Sequence, residues 1–171
     1  MKRLGITLSL LTVLINPVFA QSEAGAIFLL IAPGARAGGM GEAQVAVAND
    51  AYASYWNPAG LGFLEGQELA MMHVNWLPNL ASDLYYEFIT YRHHIDGLGS
   101  IGGHIIYLNL GEQIGMDEFG NPTDNWKSYM GAIAGSFGTP ISETSSIGFN
   151  FKVFHQKLSD QVVAGEEGKG Y

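Results

Sequence analysis

The clearest structural signal in the chain is the segment Ser145-Ser146-Ile147-Gly148-Phe149-Asn150-Phe151-Lys152-Val153-Phe154-His155-Gln156-Lys157. Large apolar residues at 147, 149, 151 and 153 alternate with small or polar residues at 146, 148, 150 and 152. Successive side chains of a β-strand point to opposite faces of the sheet. The segment therefore predicts a strand with one apolar and one polar face.

Four further β-rich segments precede this one. They are Gln67–Trp76, Leu84–Ile95, Gly99–Leu110 and Trp126–Gly138, and the links between the segments are Leu77–Asp83, Asp96–Leu98, Gly111–Asn125 and Thr139–Thr144. The links alternate between long and short. Long loops on one side and tight turns on the other are typical of an outer-membrane β-barrel. The sequence therefore predicts an all-β, antiparallel fold.

The alternation also predicts which side chains share a face. In the fourth segment, Tyr129, Ile133 and Phe137 share one face with Gly131 and Gly135. The other face is shared by Ser128, Met130, Ala132, Ala134 and Ser136. In the second segment, Glu87 is predicted to face the lumen of the barrel, and Leu84, Tyr86 and Phe88 are predicted to face lipid. That register leaves Arg92 on the lipid side near a turn, where a long side chain can reach water.

Aromatic residues cluster beside the long links, namely Trp76, Tyr85, Tyr86, Tyr107, Trp126 and Tyr129. In a meander these rings would form one belt at the outer rim, as in membrane barrels. The alternative is the ordinary enrichment of aromatic residues in strands.

Residues 1–20 have the composition of an export signal. Lys2 and Arg3 precede the apolar run Leu4–Ile15, which is shorter than the ~20 residues of a membrane-spanning helix. Val18-Phe19-Ala20 fits a cleavage site, and cleavage would take the net charge from −8 to −10 by removing both cations. An N-terminal anchor is the alternative. These features predict export to the outer membrane of a Gram-negative bacterium.

The composition narrows the class of protein. Charged residues are 14% of the chain, below the roughly 25% of soluble domains. The chain is acidic and has no basic patch, so nucleic acid is not an expected partner. The absence of cysteine excludes disulfides and a lipoprotein anchor. Outer-membrane lipid is the expected surrounding of the strands.

Five strands do not close a membrane barrel, because closed single-chain barrels start at about eight strands. The sequence ends in the loop-like stretch Ala164–Tyr171. We therefore expect residues 67–171 to be the first five strands of a longer barrel. Assembly of a barrel from several copies is the alternative.

Residues 21–66 carry a family resemblance. Pro33-Gly34-Ala35-Arg36-Ala37-Gly38-Gly39-Met40-Gly41-Glu42-Ala43, Asn49-Asp50-Ala51 and Tyr55-Trp56-Asn57-Pro58-Ala59-Gly60-Leu61 resemble the start of PorV/PorQ-type outer-membrane proteins. That group is similar to the long-chain fatty-acid transporter (FadL) superfamily. The resemblance implies an N-terminal hatch that plugs a barrel of 14 strands. We interpret Asn57, Pro58, Ala59 and Gly60 as structural residues that shape the hatch turn.

No motif indicates catalysis. The chain lacks Gly-x-Ser-x-Gly and a nucleophilic cysteine, so no enzyme activity and no cofactor are expected. The histidines are spread over several predicted strands, and the adjacent His93 and His94 point to opposite faces. The acidic residues Asp117, Glu118 and Asp124 do not have calcium-loop spacing, so no metal is expected. Glu87 and His104 lie on paired segments, and a hydrogen bond between them would stabilise the polar interior.

Three functions are compatible with these features. The resemblance implies a component of type IX protein secretion that binds or shuttles exported proteins and meets other parts of the secretion system. A FadL-like passive channel, with hydrophobic compounds or detergent in the barrel, has the same fold. A soluble secreted β-domain with adhesive loops is the third.

Overall fold

The computed structural model describes residues 23–79, 81–116 and 119–158, with the backbone alone at positions 23, 24 and 123. The predicted signal peptide (residues 1–20) and the stretch Ala164–Tyr171 lie outside the described residues. Within the described part, no helix is long and apolar enough to cross a membrane.

Five strands form one antiparallel sheet, in the order in which they follow along the chain. They are β1 (Gln67–Asn75), β2 (Tyr85–Ile95), β3 (Gly99–Met116), β4 (Pro122–Pro140) and β5 (Ser146–Lys157). The prediction of an all-β, antiparallel fold is confirmed, and a meander of this kind is consistent with part of a barrel.

The predicted long link Gly111–Asn125 is mostly strand, so its bounds were wrong. The β3–β4 ladder shifts register after Asn109 and resumes at the pair Glu112 and Lys127. Gly111 has a φ of 75° at this bulge, and the Glu112 N–H donates to Asp83 Oδ2 at 2.9 Å. Because the bulge absorbs the extra residue, the hairpin continues to Met116, on the order of 20 Å beyond Asn109 at ~3.4 Å per residue.

Residues 23–66, here called the N-terminal segment, are built from short helices. They comprise a 3₁₀ segment Glu23–Leu30 kinked at Ala26, α1 (Ala35–Gly39), α2 (Gln44–Val47), α3 (Ala53–Trp56) and a 3₁₀ helix Pro58–Phe63. The last helix begins with proline, whose fixed φ suits a first helical position. The segment packs against one face of the sheet, which we call the packed face; the other is the open face.

The packed face holds the main core. Phe28 of the N-terminal segment packs with strand residues of β2, β3 and β4, namely Tyr86, Phe88, Ile106, Leu108 and Ala132. On the open face, Ile133, Phe149 and Phe151 are 64%, 67% and 75% exposed. The alternation predicted for the fourth and fifth segments is therefore confirmed.

The faces predicted for β2 were inverted. Tyr86 and Phe88 are fully buried on the packed face, whereas Glu87 lies on the open face. Arg92 also points inward, where its Nε donates to Glu68 Oε2 at 2.9 Å and its Nη1 donates to the Glu65 carbonyl at 2.8 Å. Both faces of β2 are apolar, so contact with the N-terminal segment decides which one is buried.

The predicted hydrogen bond between Glu87 and His104 was also wrong. Glu87 pairs with Tyr107, which lies three residues from His104 along β3. Because successive side chains of a strand alternate between faces, Glu87 and His104 lie on opposite faces of the sheet. On the open face, Glu87 Oε1 lies 2.7 Å from His73 Nδ1. On the packed face, His104 contacts Ser54 of the N-terminal segment.

The inverted assignment of β2 is tested by neighbouring substitutions. Phe88→Ala removes a fully buried ring and should lower the free energy of unfolding in detergent micelles by about 3–5 kcal/mol. Ile89→Ala, on the open face, should lower it by only about 1 kcal/mol. Equal losses measured by denaturant titration would contradict the assignment.

Candidate functional site

The turn Asn57–Gly60 is held by hydrogen bonds of Asn57. Its Oδ1 accepts the Ala59 N–H at 3.2 Å, and its carbonyl accepts the Gly60 N–H at 2.9 Å. Its Nδ2 donates to the Val45 carbonyl at 3.1 Å, which ties the turn to α2. The four residues predicted to shape this turn therefore form one compact element. Asn57 accepts the N–H groups of Ala59 and Gly60 and connects the turn to α2.

The turn rests on a pair of glycines in the sheet. Gly138 of β4 and Gly148 of β5 are directly opposite in register. A Cβ atom at Gly138 would lie 2.8 Å from Gly62 N and 2.9 Å from Leu61 Cβ, and one at Gly148 would overlap the backbone of Pro58 and Ala59. Only glycine allows backbone to approach backbone this closely.

A hydroxyl group adds a polar contact beside the glycine pair. Ser146 Oγ donates to the Ala59 carbonyl at 2.7 Å and also lies 2.8 Å from the Thr139 carbonyl. Gly60 meets the N-terminal segment itself, because a Cβ there would lie 2.7 Å from Ala48 Cβ. The turn is thus enclosed between α2 on one side and the sheet on the other.

Asp50 organises the middle of the N-terminal segment. Its carboxylate accepts hydrogen bonds from Gln44 Nε2 at 3.0 and 3.1 Å and from the Tyr52 N–H at 3.0 Å. Arg36 Nη1 lies 3.2 Å from Asp50 Oδ2 and donates to Asn49 Oδ1 at 2.6 Å. One carboxylate therefore joins α1, α2 and the start of α3.

Hydroxyl and amide groups link α3 to the sheet in a buried cluster around Ser54. Ser54 Oγ lies 2.9 Å from Thr90 Oγ1 and 3.1 Å from His104 Nδ1. The Ser54 carbonyl accepts from Ser136 Oγ at 3.1 Å and from Asn150 Nδ2 at 2.8 Å. Partners from β2, β3, β4 and β5 thus converge on one residue, which satisfies buried polar groups that would otherwise be costly.

Aromatic rings complete the contact. Tyr52 stacks on Phe88 with ring centroids 5.4 Å apart, and Tyr55 Oη donates to the Leu29 carbonyl at 2.7 Å. Lys152 Nζ lies 5.0 Å from the centroid of the Tyr55 ring, a cation–π distance. Burial, and secondarily the charge of Glu42, raises the pKa of Tyr55, so its hydroxyl stays a donor.

The open face carries a row of rings at the end of the sheet that bears the long hairpin. Tyr85, Tyr107 and Tyr129 are neighbours with centroids 6.1 and 6.0 Å apart. His73 and His155 extend the row at either end. The predicted aromatic belt is correct for these three tyrosines. It is wrong for Trp76 and Tyr86, which pack together on the other face at 6.4 Å.

The line of open-face residues next to this row is aliphatic. One line of directly paired residues runs across all five strands, namely Met71, Ile89, Ile105, Ile133 and Val153. The open face therefore changes from aliphatic to aromatic and polar over a single step of the pleat.

In this arrangement Ser54 and Thr90 carried no assigned role in the sequence prediction, and His104 was assigned to the wrong partner. Ser54, Thr90 and His104 lie 14 to 50 positions from one another along the chain, and no local pattern links them. Arg36 and Asp50 belong to the quoted motif, but their pairing depends on the fold. In the described residues no group of three or more histidine or acidic side chains could hold a metal ion.

Comparison with known protein families gives a match. Residues 20–163 match the family described as type IX secretion system protein PorV. No match was found among curated proteins. The matched stretch takes in the N-terminal segment together with all five strands, so the similarity extends well beyond the motif.

The glycine pair is tested by two substitutions on β4. Gly138→Ala should separate the turn from the sheet, lower the free energy of unfolding by about 1–3 kcal/mol and expose the N-terminal segment to limited proteolysis. Gly135→Ala is the matched control, because a Cβ there meets nothing within 4 Å. Equal protease resistance in the two variants would show that the close contact is not needed.

Proposed function

This chain belongs to the PorV family of type IX secretion system proteins, and we propose that it binds exported proteins at the outer membrane and passes them to the machinery that attaches them to the cell surface. The family match over residues 20–163 is the observation that carries this proposal. Family membership by itself makes the chain an outer-membrane protein related to type IX secretion.

The open face supports a membrane-spanning role for the strands. Its aliphatic line and the exposed Phe149 and Phe151 suit lipid, and the tyrosine row suits the interface between lipid and water. Phe149 of β5 pairs with Phe137 of β4, which lies eight positions from Tyr129, roughly 27 Å along a strand. At a ~45° tilt that length gives roughly 19 Å of height, most of the ~25 Å apolar band of such barrels.

The N-terminal segment supports the role of a hatch. It covers the packed face through the glycine pair and the Ser54 cluster, so the same side of the sheet cannot also be an open channel at this level. If the segment plugs a pore, the Gly138→Ala variant should also raise the permeability of vesicles to small solutes.

The β3–β4 hairpin supports contact with other proteins. It extends past the tyrosine row and presents Ile114 and Met116, which are 60% and 59% exposed. Long connections of outer-membrane barrels lie on the extracellular side, where exported proteins emerge. Apolar side chains on a projecting hairpin are suited to transient protein contacts.

Membrane insertion is tested with two isoleucines of similar exposure. In the full-length protein, Ile133→Lys should cost about 2–4 kcal/mol in a bilayer because Ile133 lies in the aliphatic line. Ile141→Lys, in the β4–β5 turn and equally exposed, should cost about 0–1 kcal/mol. Folding titrations in vesicles measure both, and equal small costs would support a soluble domain instead.

The secretion role is tested by removing the protein from its host. Exported proteins should then fail to appear attached to the cell surface, whereas uptake of hydrophobic compounds should not change. Re-expression of the wild-type chain is the control. Normal secretion together with impaired uptake would overturn the proposal in favour of a passive channel.

A further inference from the structure

The base of the β3–β4 hairpin is a break in the ladder of backbone hydrogen bonds. Register pairing stops after Asn109 and resumes at Glu112, and Gly111 lies in the break with a φ of 75°. A β-bulge bends its strand locally, and glycine adopts such a backbone angle without strain. The break is therefore the point at which the hairpin can tilt relative to the rest of the sheet.

Beyond the break the hairpin is held together by its own contacts. Asn125 Nδ2 donates to Glu112 Oε1 at 3.2 Å and so joins the two strands. Gln113 Nε2 donates to the Leu110 carbonyl at 3.0 Å within β3. Because the hairpin continues to Met116, a tilt of about 20° at the break would displace its end by on the order of 7 Å at ~3.4 Å per residue. A small change at the base therefore decides where the exposed end lies.

Packing leaves this tilt open, because a cavity of about 540 Å³ lies between the hairpin and the link that joins β1 to β2 (residues 76–84). Leu84 of the link and Trp126 of the hairpin both line this cavity. Side chains separated by open space gain little dispersion energy from one another. The angle between the hairpin and the link must therefore be set by contacts other than those of the apolar side chains.

Asp83 of the link supplies such contacts. Its Oδ2 accepts the Glu112 N–H at 2.9 Å, and its carbonyl accepts Asn109 Nδ2 at 2.7 Å. Its carboxylate also lies directly against Gly111, where a Cβ would overlap it. One residue thus contacts the ladder on both sides of the break, and hydrogen bonds to a carboxylate are stronger than those between neutral groups.

We propose that Asp83 positions the β3–β4 hairpin for contact with exported proteins by fixing its tilt at the Gly111 break. This inference rests on the proposed contact between the hairpin and exported proteins. Asp83 is a positioning residue, because it acts through the Glu112 N–H and belongs to a different element from the exposed Ile114 and Met116. Without its carboxylate the hairpin keeps its two strands but loses its direction.

The direct test measures the distance between the link and the hairpin in the full-length protein in vesicles. Spin labels at Asn79→Cys and Met116→Cys should give a narrow distance distribution in the wild type. Asp83→Ala should shift or broaden it by about 5 Å or more. Asp83→Asn keeps an oxygen acceptor and should restore the wild-type distribution. Ser82→Ala, at an exposed position of the same link, is the matched control and should change nothing.

A second variant reaches the same contact from the hairpin. Gly111→Ala places a Cβ against the Asp83 carboxylate at a backbone angle that favours glycine, so it should displace the carboxylate and broaden the distribution in the same way. The heat-dependent shift of the folded barrel on gels records folding of each variant. An unchanged distribution in folded Asp83→Ala would overturn the positioning role. If Asp83→Ala does not fold, an unchanged distribution in Gly111→Ala overturns it.

Secretion is measured in host strains that hold equal amounts of each folded variant. Asp83→Ala should lower the exported protein attached to the cell surface by about tenfold, the effect of losing one charged hydrogen bond, whereas Asp83→Asn and Ser82→Ala should retain it. The double variant Ile114→Ser, Met116→Ser tests the hairpin contact itself and should abolish attachment.

The two variants separate this inference from the proposed function. Normal attachment in the double variant would overturn the contact between the hairpin and exported proteins, and the inference with it. Lost attachment in the double variant together with normal attachment in Asp83→Ala would overturn this inference alone.

Discussion

Backbone contact between the Asn57–Gly60 turn and the pair Gly138 and Gly148 sets the distance between the N-terminal segment and the sheet. At this distance the Ser54 carbonyl reaches Ser136 and Asn150. A side chain at either glycine would push the segment away and leave those buried groups without partners. The polar cluster and the aromatic core over Phe88 both depend on a contact that contains no side chain at its centre.

The extent to which sequence predicts this fold follows from the chemistry of each strand. In β4 and β5 one face is small or polar and the other is large and apolar, so a period of two identifies both the strand and its faces. In β2, Tyr86 and Phe88 alternate with Ile89 and Tyr91, and both faces are apolar. The period then predicts a strand but cannot say which face is buried. The N-terminal segment decides this through residues such as Tyr55, which lies 33 positions before Phe88 along the chain.

The candidate site shows the same limit. Asn-Pro-Ala-Gly predicts a turn because proline and glycine restrict and permit particular backbone angles. It cannot predict that Gly148 lies beneath Pro58, since the two residues are joined only by the fold. The same holds for Asp83, whose carboxylate accepts the Glu112 N–H at the bulge and so lets the β3–β4 hairpin run on where sequence predicts a loop. Long-range polar contacts of this kind leave no periodic trace.

Both faces of the sheet carry apolar residues, but the described residues cover only one of these faces. The N-terminal segment covers the packed face, while Ile133, Phe149 and Phe151 remain exposed on the open face. In water a contiguous apolar surface of this kind would favour aggregation. Lipid removes that penalty, and the row of Tyr85, Tyr107 and Tyr129 lies where the aliphatic surface ends. The physical requirement for an apolar surrounding and the membership of an outer-membrane secretion family therefore arise from independent observations and lead to the same location.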